Sequence, residues 1–354
     1  MLIEIIFLAI GLVILVAGGE IMVKGASALA RGLGISNLAV GLTVVAFGTS
    51  APELAVNIGA ALQDTGGLAF GNIFGSSMAN IGLVVGVAAI LQPIPIQSVI
   101  IRRELPMMLL GFSAAGVMAF DVQLGGHRNA FMRPDGVILL LFFVVFLYYT
   151  VADLRRQRVE SRGQEGGSVS PIENLADLSL SEEKEASSIK GSVFRVILGL
   201  VGLIAGAELT VNSAVELAHL LHVNEELIGL TMIAVGTSLP ELVAAISSVR
   251  HGKADMAVGS VVGSNIFNTL LVAGVTATIR PMPVPQYGQI DLVATGVLGI
   301  IFTGIATPVE AAVAYAKHAE VAVLLADVVD RVARDLEPRG VTDWFVPGET
   351  VEEA

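Results

Sequence analysis

Two glutamates stand out because each ends the same short motif inside a long apolar stretch. The motif reads Gly-Thr-Ser-Ala-Pro-Glu at residues 48–53 and Gly-Thr-Ser-Leu-Pro-Glu at residues 236–241. A carboxylate near the centre of a bilayer costs about 2.5 kcal/mol or more, so it persists there only with a partner. The two stretches contain no Lys or Arg before their ends. The sequence therefore predicts that a bound cation, or a proton, balances the charges of Glu53 and Glu241.

Neutral oxygen donors accompany both glutamates at helical spacing. Residues three and four positions before a glutamate share its face of a helix, and both positions hold hydroxyl side chains. The next apolar stretch of each half carries a serine and an asparagine four residues apart, which also share a face. These neighbours are Thr49, Ser50, Ser76 and Asn80 in the first half, and Thr237, Ser238, Ser264 and Asn268 in the second. Because Ca²⁺ takes six to eight oxygen ligands, this oxygen-only set favours a calcium site.

The proline of each motif predicts additional backbone ligands. Pro52 has no N–H to donate to the carbonyl of Gly48, and its ring disturbs the preceding turn. The carbonyls near Ala46 and Gly48 are then free to bind an ion. Pro240 has the same effect in the second motif. In lipid such carbonyls are tolerated only where protein or a cavity satisfies them, so we expect a discontinuous helix that forms part of a cation cage.

The composition assigns these motifs to a membrane protein. Only 15% of the 354 residues are charged and 54% are hydrophobic, whereas a soluble domain carries about 25% charged residues. Apolar runs near the ~20 residues that span a bilayer recur along the chain. With no cysteine, disulfides and thiolate metal sites are excluded. The nine runs fall at about 2–23, 36–62, 68–91, 105–120, 136–152, 192–220, 226–249, 256–280 and 288–306.

An internal repeat relates the two halves at a constant offset of 188 residues. The segment 41–54 returns at 229–242 with ten of fourteen positions identical. The offset also holds upstream, at Gly18 and Gly206, and downstream, where Gly71 and Gly75 match Gly259 and Gly263. Five predicted spans separate the copies, an odd number, so we expect the two copies to be inverted in the membrane. Inverted repeats place a shared site near the midplane, reached alternately from either side.

The distribution of Lys and Arg predicts the orientation. Loops after odd-numbered spans hold most of these residues, so we expect them to be cytoplasmic and the N-terminus to lie outside. The net charge of −12 gives no reason to expect a nucleic-acid partner. The predicted organisation is a first five-helix repeat at 1–152 with its motif at 41–80, a cytoplasmic polar loop at 153–190, a second repeat at 191–306 with its motif at 229–268, and an atypical segment at 307–354 that forms a tenth helix or a surface helix with a tail.

The repeated Gly-Thr-Ser-x-Pro-Glu, each followed by Gly-Ser-x-x-x-Asn, resembles the two alpha repeats of the sodium/calcium exchanger family, within the wider cation/Ca²⁺ antiporters. The resemblance covers about residues 5–285 and implies an all-α polytopic fold of about ten transmembrane helices as two inverted five-helix repeats. Several sodium-coupled members carry an aspartate where this chain has Asn268. The resemblance implies ion ligation by Thr49, Ser50, Glu53, Ser76, Asn80, Thr237, Ser238, Glu241, Ser264 and Asn268, and by the backbone carbonyls of Ala46 and Ala234.

Two functions follow as expectations. The first is a secondary active antiporter in the plasma membrane that exchanges Ca²⁺ for Na⁺ by alternating access, and the alternative is a Ca²⁺/H⁺ antiporter in which Glu53 and Glu241 bind protons. An enzyme is not expected, because neither Ser50 nor Ser238 has a His or Lys base at helical spacing. No cofactor is expected beyond the transported ions. The oligomeric state stays open.

Overall fold

A computed structural model describes residues 2–92, 94, 96–124, 128–164, 189–221 and 225–316. Side chains are described for all of these residues except 160–164, 225–235 and 307–316. Residues through Thr303 form one compact unit. A second unit begins at Gly304, and only its helical residues up to Ala316 are described.

Nine long helical segments make up the described chain, one for each apolar run of the sequence. Some of them contain π-helical turns, at Gly41–Val45, Asn80–Val84, Ile100–Glu104 and Phe267–Val272. The helices are α1 (Leu2–Leu33), α2 (Asn37–Leu62), α3 (Gly66–Leu91), α4 (100–119), α5 (Arg133–Gln164), α6 (Ile189–Leu220), α7 (Glu225–Arg250), α8 (Ala254–Ile279) and α9 (Gly288–Ala316).

Seven of these helices are long and apolar enough to cross a membrane over the described residues: α1, α2, α3, α5, α6, α8 and α9. Helix α4 begins with Arg102, Arg103 and Glu104, which lowers its hydropathy. The all-α membrane fold predicted from the sequence is confirmed. The only described β-structure pairs β1 (Ala130–Phe131) with β2 (Met282–Pro283), and one 3₁₀ turn covers Val122–Leu124.

Three boundaries differ from the sequence prediction. Helix α5 continues to Gln164, so the first residues of the predicted polar loop at 153–190 are helical. Residues 165–188 lie outside the described part of the chain. Helix α9 extends ten residues beyond the predicted end of its run, to Ala316. Most of the predicted atypical segment, 317–354, also lies outside the described residues.

The predicted break at Pro52 is wrong. Residues Ala46–Leu62 form an uninterrupted α-helix with Pro52 inside it, and α7 likewise contains Pro240 without interruption. The π-helical turn Gly41–Val45 lies just before this stretch and widens the helix there. Such π-turns frequently mark functional sites, and they offer a way to absorb a misfit without ending the helix.

Helices α1 and α6 pack backbone to backbone through glycines. A Cβ on Gly18 would lie 2.6 Å from the backbone nitrogen of Leu203, and one on Gly206 would lie 2.4 Å from that of Leu15. No larger side chain fits at either point. The two contacts are the same contact seen from opposite halves, because Gly18 and Gly206, like Leu15 and Leu203, are 188 residues apart. The sequence repeat is therefore also a repeat of tertiary packing.

Candidate ion-binding site

The predicted site residues lie on α2, α3, α7 and α8, and these four helices contact one another. Their polar side chains are buried rather than facing outward. Relative exposure is 1% for Glu53 and Glu241, and at most 3% for Ser50, Asn80 and Asn268. The remaining predicted side chains that are buried to this degree are Thr49, Ser76, Ser238 and Ser264.

Two hydroxyl pairs join the halves reciprocally. The Oγ1 of Thr49 lies 3.4 Å from the Oγ of Ser264, and the Oγ1 of Thr237 lies 3.0 Å from the Oγ of Ser76. The second pair is the first one displaced by 188 residues in each partner. Each motif helix therefore contacts the serine of the opposite copy, and the two copies together surround one buried polar region.

Both carboxylates are buried without compensation from protein groups. Neither oxygen of Glu53 or Glu241 has a hydrogen-bond partner among the described residues, and neither side chain forms an ion pair there. The two carboxylates are near enough for electrostatic repulsion, and Thr49 lies close to Glu241. Leaving a charged group buried and unpaired is strongly unfavourable, so these four oxygens fit a cation.

The two asparagines repeat this pattern. Both amide atoms of Asn80 and of Asn268 are buried without a hydrogen-bond partner in the described structure. Asn80 opens the π-helical turn of α3, and Asn268 lies in that of α8, which begins one residue earlier, at Phe267. Because buried amides are normally hydrogen-bonded, the orphaned amide oxygens are suited to ligate an ion.

The remaining predicted ligands differ in how the structure describes them. The hydroxyl of Ser50 has no described partner. The backbone carbonyl of Ala46 accepts a hydrogen bond from Thr49 Oγ1 at 3.3 Å. Ala234 lies in the helical stretch of α7 whose side chains fall outside the described set. Among the described residues no group of three or more His, Cys, Asp or Glu could hold a metal, so the candidate site depends on neutral oxygens as well as two carboxylates.

Sequence reasoning missed four buried polar residues near these positions: Asn57, Asn72, Asn265 and Thr269. Asn57 donates through Nδ2 to the carbonyl of Glu53 at 2.7 Å, while its Oδ1 has no described partner. Both amide atoms of Asn72 and the hydroxyl of Thr269 are also buried without one. The signal for Asn57 was available, since it lies four residues after Glu53 and shares its helical face. The 188-residue repeat could not find it, because its counterpart is Ala245.

The helices, the buried carboxylates and the paired copies define a membrane protein with a duplicated, oxygen-lined cation site. The family model described as sodium/calcium exchanger protein matches residues 3–152 and 191–316, and the chain belongs to this family. It is accordingly an integral membrane protein of a family of transporters, and membership supports cation/calcium antiport.

Individual relatives agree with this assignment. The chain is 37% identical to the inner membrane protein YrbG of Escherichia coli over 251 residues, which is 71% of this chain and 70% of YrbG. It is 33% identical to the sodium/calcium exchanger MaX1 of Methanosarcina acetivorans over 258 residues, 69% of this chain and 73% of MaX1. A solved structure of the sodium-calcium exchanger NCX_Mj, soaked with Na⁺ and Ca²⁺, superposes with a TM-score of 0.70 at 28% identity, covering 86% of this chain and 91% of that one.

Proposed function

We propose that this protein exchanges Ca²⁺ for Na⁺ by alternating access through a single site shared by the two repeats. The observation that carries the proposal is the reciprocal pairing of Thr49 with Ser264 and of Thr237 with Ser76 around two buried, unpaired carboxylates. Carboxylate, hydroxyl and amide oxygens are the ligands of hard cations, and Ca²⁺ accepts six to eight of them. In this proposal, ligands also include Ser50, Ser238, Asn80, Asn268 and the carbonyls of Ala46 and Ala234.

The charge of the site limits what it carries. Two carboxylates are neutralised by one Ca²⁺ or by two monovalent cations, and a net charge left in a buried site is unfavourable. Exchange then arises from competition, because the protein changes its access only when the site is loaded. Asn268 supplies no third negative charge, so we expect two Na⁺ to exchange for one Ca²⁺ without net charge movement. The related Ca²⁺/H⁺ exchange would place a proton on each carboxylate in the same way.

The proposed orientation follows from the ends of the helices. Lys24, Arg31, Arg102 and Arg103, with Arg250 and Lys253, lie at the ends that we assign to the cytoplasm of the plasma membrane, and fewer basic residues lie at the opposite ends. Since the chain has no native cysteine, single cysteines can report this directly. In intact cells a membrane-impermeant maleimide should label Gln63→Cys, after α2, and spare Gln92→Cys, after α3. The reverse labelling would contradict this orientation.

The experiment that tests the function is ⁴⁵Ca²⁺ uptake into proteoliposomes loaded with Na⁺, compared with choline-loaded vesicles and with vesicles under a pH gradient. We expect uptake to need internal Na⁺, to be lost in Glu53→Gln, and to be unaffected by an imposed membrane potential. Asp64→Asn is the matched control, because Asp64 is exposed, its pair with Arg280 lies at the surface, and asparagine tolerates its positive φ of 63°. Uptake that follows the pH gradient without Na⁺ would assign the chain to Ca²⁺/H⁺ exchange instead.

A further inference from the structure

A cavity of about 530 Å³ lies at one end of the helices, away from the ion site, and basic side chains line it. They come from three parts of the fold: α1, the first turns of α6, and the turn between α7 and α8. Four of them carry permanent charges, and the fifth is a histidine. The five residues are Lys24 and Arg31 of α1, Arg195 of α6, and His251 and Lys253 of the α7–α8 turn.

No acidic residue lines this cavity within the described chain. Elsewhere the described structure combines arginines with carboxylates: Arg280 pairs with Asp64 at 2.7 Å, and Arg103 pairs with Glu104 and Asp153. Like charges gathered around one cavity repel each other, and an anion within it relieves that repulsion. Guanidinium groups suit phosphate in particular, because their planar fork binds two of its oxygens at once.

The apolar side of the cavity favours a lipid over a soluble anion. Ile21 and Leu198 contribute to its lining. Along the same turns of α6, Phe194 is 65% exposed and Ile197 is 54% exposed, as expected for side chains that face acyl chains. The cavity therefore combines a cationic end with an adjoining apolar helix surface, which is the arrangement that a phospholipid presents in reverse.

We propose that this cavity binds the headgroup of an anionic phospholipid, with its phosphate among Arg31, Arg195 and Lys253 and its acyl chains along α6. Basic pockets between transmembrane helices at the cytoplasmic surface bind such headgroups. The lipid links the α1–α6 pair to the turn that begins α8. Because α8 carries Ser264 and Asn268, the lipid connects the membrane surface to a helix that contributes to the candidate ion site.

Lipid binding can be measured without any transport assay, by native mass spectrometry of the purified full-length protein titrated with dioctanoyl-phosphatidylglycerol. We expect one tightly bound lipid in the wild type and weaker binding of dioctanoyl-phosphatidylcholine. Each basic residue near a headgroup contributes about a factor of five, so Arg31→Gln/Arg195→Gln should lower the affinity about 30-fold. Arg128→Gln/Arg280→Gln removes the same charge outside the cavity and should bind as the wild type does.

Two results would overturn the proposal. One is equal phosphatidylglycerol affinity in the wild type and in Arg31→Gln/Arg195→Gln, with both proteins eluting as a single sharp peak in size-exclusion chromatography. The other is displacement of the bound lipid by inorganic phosphate at equal concentration, which would identify the cavity as a site for a soluble anion. Because neither result depends on which ion is transported, the lipid site can fail while the proposed exchange holds, and the reverse.

Discussion

The two copies of the repeat are alike in sequence but are packed differently. In the second copy every residue of Ala254–Ile266 except Asp255 is buried, whereas in the first copy only half of Gly66–Ala79 is buried. A Cβ on Gly263 would lie 2.7 Å from the Cβ of Ala46, and one on Gly259 would lie 2.7 Å from the carbonyl oxygen of Leu38. A Cβ on the matching Gly71 or Gly75 would meet no described atom within 4 Å.

This difference has a mechanistic meaning for a site built from two inverted copies. Where α8 packs against α2, the described chain is closed, and the matching surface of α3 is less covered. In an inverted-repeat transporter, exchanging the roles of the two copies converts one access state into the other. We therefore interpret the packing of the described residues as one of two related arrangements, in which the side of the site nearest Gly259 is closed.

The largest expected effect comes from the feature in which the copies agree. Glu53→Gln and Glu241→Gln should each abolish Ca²⁺ uptake, because each removes half of the negative charge that balances Ca²⁺. The measurement is the initial rate of ⁴⁵Ca²⁺ uptake, where we expect a loss of about 100-fold or more in both variants, with Asp64→Asn as the control. If one glutamine variant keeps more than a tenth of the wild-type rate, the two copies do not contribute equally.

A second prediction addresses the packing difference itself. Gly263→Ala should lower the melting temperature of the purified protein, because the added Cβ has no room against α2 and overpacking of this kind costs about 1–3 kcal/mol. Gly75→Ala is its matched partner in the other copy and should change the melting temperature little. Fluorescence-detected size-exclusion chromatography after heating measures both. Equal destabilisation would show that α3 is packed as tightly as α8.

A smaller effect is expected from the hydroxyl pairs. Ser76→Ala and Ser264→Ala each remove one neutral oxygen and one inter-repeat contact, but leave both carboxylates in place. Since a hydrogen bond between neutral groups contributes about 0.5–1.5 kcal/mol, each variant should raise the Ca²⁺ concentration for half-maximal uptake by roughly 3- to 10-fold. Ser192→Ala, a buried serine on α6 outside the cluster, is the control. A shift in only one of the two variants would argue against a shared site.

Much of this arrangement could be predicted from the sequence. The apolar runs located all nine described helices, and the 188-residue repeat identified residues that meet in reciprocal pairs. Helix continuity through Pro52 could not be predicted, because a π-turn one helical turn earlier accommodates the misfit. The uneven packing of α3 and α8 was also out of reach, since both carry the same glycine spacing.

The role of individual hydroxyls is the hardest feature to predict. Thr210 and Thr276 donate to the carbonyl four residues earlier in their own helices, each at 2.7 Å, so they are fully accounted for within one helix. Ser264 instead meets Thr49 of another helix. In sequence all three are hydroxyls in apolar helices, and both outcomes are common. Only the tertiary arrangement separates a hydroxyl that bonds to its own helix from one that faces a shared site.

The central claim is that Glu53 and Glu241 act together on one Ca²⁺. Isothermal titration calorimetry of the purified protein with Ca²⁺, in Na⁺-free buffer and then with added Na⁺, tests this most directly. We expect one Ca²⁺ per chain, an apparent affinity that falls as Na⁺ is added, and no measurable binding in either Glu53→Gln or Glu241→Gln. Binding of one Ca²⁺ that persists in both variants, or that does not respond to Na⁺, would contradict a shared site at which the two ions compete.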